Sequence, residues 1–517
     1  MRIVALLAIR NEELYLERCI EHLISQGIEI CIIDNDSTDH SLQIARSHLG
    51  AGVCCIERLP YQGFFDERAK MSLKAKLAQE IKADWFIHHD ADEIRESPQP
   101  YQTLLQGIME VDRQGYNAVN FDEFVFLPTD KSEAYEGKDY VSHMKHYYFL
   151  EPRKLNRINA WKKTTLDERF VDSGGHHIVF DNINVYPEAF VLRHYIGLSW
   201  RHLLSKYTSR VHSMEEVLSL SMNKKRAMFT PDQLQLPNRE ELKQVDPAGY
   251  WDRTDPWRAH KFLGDNKSTS NIYQMVKRPI KRVSKAIDSE AGLIDCSPVA
   301  VITSVDKVAA SLLAEMLKKA ADVTLLELGE GTNKTATEVE NSLTERMRDD
   351  ENTAQWGVVI LPEDLFRLLE IEKLLPKSCF IHVIQDGRRL LVSRYPDSEQ
   401  QIANVEQEAI HWTWGIREAR QQSQLLSCYM EVKLEALVQN PETVIEGILE
   451  KLDWSTSEES VQEQLHAVRD RWLESNTIWR QPVAMEKGVA GVNAQALADY
   501  ESIAGAILRE VGYSGDD

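Results

Sequence analysis

IVALLAIRNEELYLERCIEHLISQGIEICIIDNDSTDH, residues 3–40, decides the fold. Its first seven residues are an unbroken apolar run, as a strand covered on both faces requires. After Arg10, the residues Leu16, Ile20, Leu23 and Ile24 recur at helical spacing. Asn11 suits the N-cap, with Glu12 and Glu13 in the electropositive first turn, and Gly27 stands where a C-cap glycine would. A second apolar strand, Glu29 to Ile33, then opens directly onto Asp34, Asn35 and Asp36. Strand, helix and strand in this order form a parallel unit.

The pattern continues outward. Val53 to Ile56 reads as a third strand, Leu73, Leu77 and Ile81 mark one helix face, and Trp85-Phe86-Ile87 begins a fourth strand. The fold class is therefore α/β, with a doubly wound, Rossmann-like sheet at the N-terminus. In such sheets ligands lie outside the carboxyl ends of the strands, so the polar clusters at Asn11, Asp34 and Asp90 converge on one crevice. From 223 to 298 the text is polar and broken by Pro231, Pro237, Pro247, Pro256 and Pro279. A fresh strand, Val299 to Ile302, a helical run through Leu312, Leu313, Met316 and Leu317, and another strand, Cys379 to Ile384, start a second α/β unit. The expected organisation is a domain over 1–222, a connector over 223–298 and a second domain over 299–517, in keeping with a chain of 517 residues.

Composition narrows the function. The apolar share of 43% and charged share of 27% are those of a folded globular chain. A formal charge of −21 with no long basic stripe argues against a nucleic-acid partner. The richest basic stretch, Lys277 to Arg282, reads as a solvated linker and leaves peripheral contact with an anionic membrane open. The run Ile3–Ile9 is too short to span a bilayer and lacks a cleavage pattern, so the expectation is a cytoplasmic chain without a transmembrane segment. Seven cysteines without a CxxC pair predict neither a disulfide framework nor a zinc site, only reduced thiols.

Chemistry concentrates at His88-His89-Asp90-Ala91-Asp92-Glu93, immediately after the fourth strand. Two carboxylates at i and i+2 on a strand end can share a divalent cation with a diphosphate, a common way to neutralise a departing nucleoside diphosphate. Taken together, NEELYLERCIEHLISQGIEICIIDNDSTDHS from 11 and WFIHHDADE from 85 resemble family 2 glycosyltransferases of GT-A type, in the branch with NDSTD and DADE signatures, over roughly 1–215. The resemblance implies a nucleotide-sugar donor, a glycan or other hydroxyl acceptor, and Mn²⁺ or Mg²⁺ as cofactor. It places Asp34 and Asp36 with Glu12 at the nucleoside, Asp90 and Asp92 at the diphosphate and metal, and His194 of VLRHYIG as a further metal ligand.

It also implies inversion at the anomeric carbon, which needs a general base within reach of the acceptor hydroxyl. Asp122-Glu123 in NFDEFVF is the favoured source, and Asp172 with His176-His177 in DSGGHH the other. Gly174-Gly175 mark a tight turn or a close backbone approach to ligand. Trp161-Lys162-Lys163 either stacks on a sugar or forms an ordinary strand edge.

The second domain carries VAVITSVDKVAASLLAEML at 299–317, FIHVIQDGRRLLVSRY from 380 and YMEVKLEALVQNPETVIEGILEKLDW from 429. In this order they resemble the phosphosulfate-binding segments of sulfotransferases, with a P-loop-like turn placed at Asp306 to Ser311. The departures fall on the cofactor-holding positions. Lys307 stands for the loop arginine, Ala309 for its glycine and Gln385 for the arginine of the second segment, while Ser311 and Ser393 remain. The resemblance thus implies the layout of that fold with its catalysis in doubt. The expected function is glycosyl transfer with a non-catalytic C-terminal domain; the alternatives are a bifunctional glycosyltransferase and sulfotransferase, or a catalytically dead carbohydrate-binding protein.

Overall fold

A computed structural model describes residues 1–166, 168–175, 177–213, 234–263, 299–321, 323–327, 355–360, 365, 368–375, 378–454, 461–480 and 491–513. His176 and the basic stretch Lys277–Arg282 lie outside these. The chain divides into two compact units, Met1–Tyr207 with Pro231–Ser268, and Thr208–Thr230 with Thr269–Asp517.

In the first unit the strands β1 (Ile3–Ile9), β2 (Glu29–Asp34), β3 (Val53–Arg58) and β4 (Trp85–His89) lie parallel in the order β3-β2-β1-β4. Ile3, Ala5, Leu7 and Ile9 face the helix Glu13–Ser25 through Leu16, Ile20 and Leu23. Val4 and Leu6 face the helix Glu67–Glu80 through Met71, Leu77 and Ala78. Apolar residues on both faces of β1 are what force a helix onto each side, and each large side chain so buried contributes about 1.5–3 kcal/mol.

Beyond β4 the sheet departs from the expected parallel arrangement. β5 (Glu93–Glu96), β6 (Ala118–Phe126), β7 (His146–Leu150), β8 (Ile158–Lys162), β9 (Phe190–Tyr195) and β10 (Lys243–Gln244) extend it as a mixed sheet. β8 runs antiparallel to β4 and β6, β7 antiparallel to β6, and β9 parallel to β6 but antiparallel to β5. Periodic helices thin out after residue 113, and without crossovers of that length consecutive strands are free to pair antiparallel. The described residues 234–263, expected as connector, pack on this unit. β10 adds to the edge at β7, and Trp257 stacks on Tyr148 with ring centroids 4.1 Å apart.

Two local expectations are corrected. The helix starts at Glu13 with Glu12 at its N-cap, whereas Asn11 adopts a left-handed φ of 56°. Its Oδ1 accepts from the Thr38 amide at 2.7 Å and so ties the loop after β1 to the loop after β2. The orphan helix amides find partners there too, Glu12 N on Ser41 Oγ at 2.7 Å and Glu13 N on Asp39 Oδ2 at 3.2 Å. Among the described residues four of the cysteines, expected reduced, form the disulfides Cys31–Cys55 and Cys379–Cys428. Cys31 and Cys55 sit opposite one another on β2 and β3 with Cα atoms 4.8 Å apart. Sheet register, invisible in linear spacing, brings them together.

The second unit is a five-stranded parallel sheet, β11 (Val299–Thr303), β12 (Val323–Glu327), β13 (Gln355–Val359), β14 (Ser378–Ile384) and β15 (Tyr429–Lys433), ordered β12-β13-β11-β14-β15. The helix Lys307–Ala320 covers one face through Leu313, Met316 and Leu317, and Leu365, Leu368, Ile371 and Ala419 cover the other. No helix among the described residues is long and apolar enough to cross a membrane.

Candidate functional site

The register of the parallel strands sets the site. Ile9 pairs with Asp34 and Leu7 with His89, so the loops carrying Asn11, Asp34 and Asp90 leave the sheet side by side. Asp34 ends β2 with 3% exposure and accepts from the Ser37 amide at 3.2 Å. Asp36, by contrast, is turned to Arg58, which meets it in a fork at 2.6 and 3.0 Å and holds its carboxyl below the usual range. Arg10 lies over the Tyr61 ring and donates to the Asn35 and Asp36 carbonyls, which fixes the NDSTD loop from beneath.

Asp90 occupies the turn between β4 and β5, half-buried, and its amide donates to Glu93 Oε2 at 3.1 Å. Asp92 is almost fully buried. Its Oδ2 receives Lys206 Nζ at 2.5 Å and faces His194 Nε2 at 3.3 Å. Burial would raise the Asp92 carboxyl, but the Lys206 and His194 charges outweigh it and hold the group far below the usual carboxylate range. His194 stands on β9 opposite Glu93 of β5, and its Nδ1 meets Glu123 Oε1 at 2.7 Å. Burial works against its protonation, yet Asp92 and Glu123 raise it to about 9.

Glu123 is in turn gripped by Arg157 through two bonds of 2.6 and 2.7 Å. Burial alone would raise its carboxyl, but Arg157 and His194 prevail and lower it strongly. Its neighbour Asp122 points to the other face of β6 and pairs with Arg253 at 2.6 Å. The two residues considered for the general base thus have different surroundings. The other cluster lies apart: Asp172 pairs with Arg68 at the surface and His177 Nδ1 bonds the Leu155 carbonyl at 2.9 Å.

Behind the DADE turn runs a buried polar layer. Arg95 bonds Glu93 at 2.6 Å, His89 Nδ1 at 3.0 Å and Asn159 Oδ1 at 3.2 Å. Asn159 reaches the Gly175 carbonyl at 2.7 Å. Lys74, wholly buried, donates to His88 Nδ1 at 3.2 Å, and burial lowers its pKa to about 8. Gly175 has φ +74°, and a Cβ there would overlap the His88 ring, so the close approach expected at this glycine is to His88. Trp161, offered above as a sugar platform, is buried against Phe86 and belongs to the core.

Sequence reasoning missed Lys206, Arg157, Arg95 and Lys74. Lys206 sits in the helix Trp200–Thr208, where WRHLLSKYT carries no signal that one lysine turns inward. Among the described residues no group of three or more His, Cys, Asp or Glu is arranged to hold a metal ion. The donor chemistry nonetheless suits one. Glu123 fixes His194 through Nδ1, leaving Nε2 toward Asp92, the carboxylate–histidine arrangement that metal ligands use.

In the second unit the turn between β11 and its helix is shorter than expected, with Lys307 already helical and Asp306 at the N-cap. Asp306 Oδ1 caps the Val308 amide at 3.4 Å, and Gln385 Nε2 reaches Asp306 Oδ2 at 3.3 Å. Ala309 and Ala310 are buried in the helix, and the Ser311 hydroxyl donates back to the Lys307 carbonyl at 3.0 Å. Arg388 is engaged with Asp386 at 2.8 Å, Glu501 at 2.8 Å and the Tyr513 carbonyl at 2.5 Å.

Residues 5–95 match the model of glycosyl transferase family 2, and residues 305–458 match that of the sulfotransferase family. No curated protein matches the chain. Among solved structures, S. aureus TarS is similar at 10% identity and a TM-score of 0.26, over 44% of this chain and 48% of that one, about half its length. S. aureus TarS 1–349 in complex with UDP-GlcNAc is similar at 13% identity and a TM-score of 0.27, over 40% of this chain and 62% of that one. Mouse sulfotransferase SULT7A1 complexed with PAP is similar at 8% identity and a TM-score of 0.27, over 42% of this chain and 82% of that one. Likenesses this distant carry no inference about substrate. The chain thus carries an N-terminal segment similar to glycosyl transferase family 2 and a C-terminal segment similar to the sulfotransferase family.

Proposed function

We propose that the N-terminal unit transfers a sugar from a nucleotide-sugar donor, lying across the carboxyl ends of β2, β1 and β4, to an acceptor hydroxyl. The observation that carries this is the placing of Asp34, Asp90 and Asp92 at the ends of neighbouring strands, where an α/β sheet binds ligands. Asp34 and Glu12 serve the nucleoside, and Asp36 acts indirectly by pinning the loop to Arg58. Asp92 and His194, with Asp90 beside them, would hold a divalent cation, Mn²⁺ or Mg²⁺. Such a cation, when bound, neutralises the diphosphate as the bond to the sugar breaks.

The chain's own groups do the rest. Glu123 keeps the His194 ring oriented, and Arg157 keeps Glu123 ionised. Glu123 is committed to two buried partners, whereas Asp122 pairs with the more exposed Arg253 and can be freed from it, so the base that takes the acceptor proton is Asp122 or His176, the latter outside the described residues. Direct displacement by that hydroxyl inverts the anomeric centre.

The C-terminal unit is non-catalytic on this reading. An anion at a helix N-terminus needs free amides and a close backbone approach, but Asp306 places its own carboxylate there and Ala309 adds a Cβ. Gln385 is spent on Asp306, and Arg388 on Asp386 and Glu501. The test of the whole reading is to screen nucleotide sugars for divalent-cation-dependent hydrolysis and transfer by the purified protein, with product configuration read by NMR. Release of a nucleoside diphosphate from one donor supports it; no release from any donor, at any metal, removes it.

A further inference from the structure

Lys206 poses a problem that the donor-site reading does not answer. Its ammonium sits 2.5 Å from Asp92 Oδ2, with side-chain exposures of 17% and 9% for the pair. That oxygen also faces His194, so the atom a cation would take already serves two protein groups. Lys206 is anchored on the helix Trp200–Thr208, with its ammonium above the Tyr15 ring. A buried ammonium cannot lose its counter-ion cheaply. A cation arriving alone would therefore have to strand Lys206, whereas a cation arriving with a diphosphate brings a replacement anion.

We infer that Lys206 is a built-in competitor for the divalent cation at Asp92, so that metal and nucleotide enter this site together and the metal alone is held out. The inference rests on the donor-site reading above. It has a consequence that a merely structural lysine lacks: removing the ammonium should make the empty site bind metal better, not worse. By reciprocity, nucleotide and metal each tighten the other in the wild type, and that coupling shrinks when Lys206 is gone.

The measurement is equilibrium Mn²⁺ binding to the full-length protein at fixed pH, followed by the EPR signal of free Mn²⁺. Lys206→Met and Lys206→Gln should bind Mn²⁺ alone about tenfold tighter than the wild type, within the usual range of coupled binding, while Lys206→Arg should resemble the wild type. Asp92→Asn, alone or with Lys206→Met, should abolish the site. If Lys206→Met and Lys206→Gln keep a cooperative thermal transition and bind no tighter, the inference is overturned. If instead Asp92→Asn leaves Mn²⁺ binding intact, the metal lies elsewhere and the donor-site reading fails with it. Should both Lys206 variants fail to fold, the wild type decides. UDP, GDP and ADP are tried in turn, and at least one must tighten Mn²⁺ binding about tenfold; tightening by none overturns the inference.

Discussion

Glu123→Gln sets the buried network against its exposed neighbour. Glu123 accepts from Arg157 Nε at 2.6 Å, from Arg157 Nη2 at 2.7 Å and pairs with His194 Nδ1 at 2.7 Å. An amide offers one oxygen in place of two and turns an NH₂ toward a cation. The side chains of Arg157 and Glu123 are 8% and 1% exposed, so the guanidinium loses its bonded counter-charge in a buried setting, and breaking such a pair costs about 3–5 kcal/mol. The adjacent Asp122→Asn removes an ion pair whose arginine is 42% exposed, worth about 0.2–1 kcal/mol. Urea unfolding of both variants, followed by tryptophan fluorescence, should separate them by about 3 kcal/mol. If the two lie within about 1 kcal/mol of each other, Glu123 does not hold the buried pair described here.

Other outcomes follow from the same geometry. Gly175→Ala forces a left-handed backbone on a residue with a Cβ and pushes that carbon into the His88 ring, for a loss of about 2–4 kcal/mol in the same assay. A variant as stable as wild type would show that the His88 ring is free to move. In the C-terminal unit His382 is fully buried, and burial lowers its pKa from 6.5 to about 4. Between those values the unfolded chain binds a proton that the folded chain refuses. Stability is therefore lost as pH falls from 6.5 toward 4, by about 3 kcal/mol at the lower end. His382→Asn should flatten the pH dependence of that unit's unfolding midpoint, and an unchanged slope would refute the assignment. On the proposed reading, calorimetry with adenosine 3′,5′-bisphosphate should detect no binding to the full-length protein, because Asp306 caps the helix N-terminus and Gln385 is bonded to it; micromolar binding would make the bifunctional reading the better one.

The parallel core of the first unit was legible because each element announced itself. β1 and β2 are apolar runs of strand length, and the helix between them repeats at 3.6 residues. The places of Asp34, Asp90 and Asp92 at strand ends were legible for the same reason, since each stands at or just after the end of an apolar strand. The mixed half of the sheet was not, because its pairing depends on which strands meet across long loops. Nothing in residues 146–162 states that β8 joins β4 or that β7 joins β6. Arg157 and Lys206 escaped for a related reason. A basic residue is normally at the surface, and only the fold shows that Glu123 and Asp92 draw these two inside. Asn11 was misplaced because its amide serves the neighbouring loop instead of its own helix.

On the proposed function, Asp92 holds the metal and diphosphate end of a sugar donor. Asp92→Asn keeps the shape of the side chain but also takes the counter-charge from Lys206 and His194, so turnover is read on protein that still unfolds cooperatively, with Lys206→Met/Asp92→Asn beside it. In a turnover assay with the donor identified by screening and saturating Mn²⁺ or Mg²⁺, nucleoside diphosphate release should fall about 100-fold or more while the cooperative thermal transition is retained. Release at the wild-type rate from a folded Asp92→Asn variant would mean that Asp92 does not hold that end of the donor.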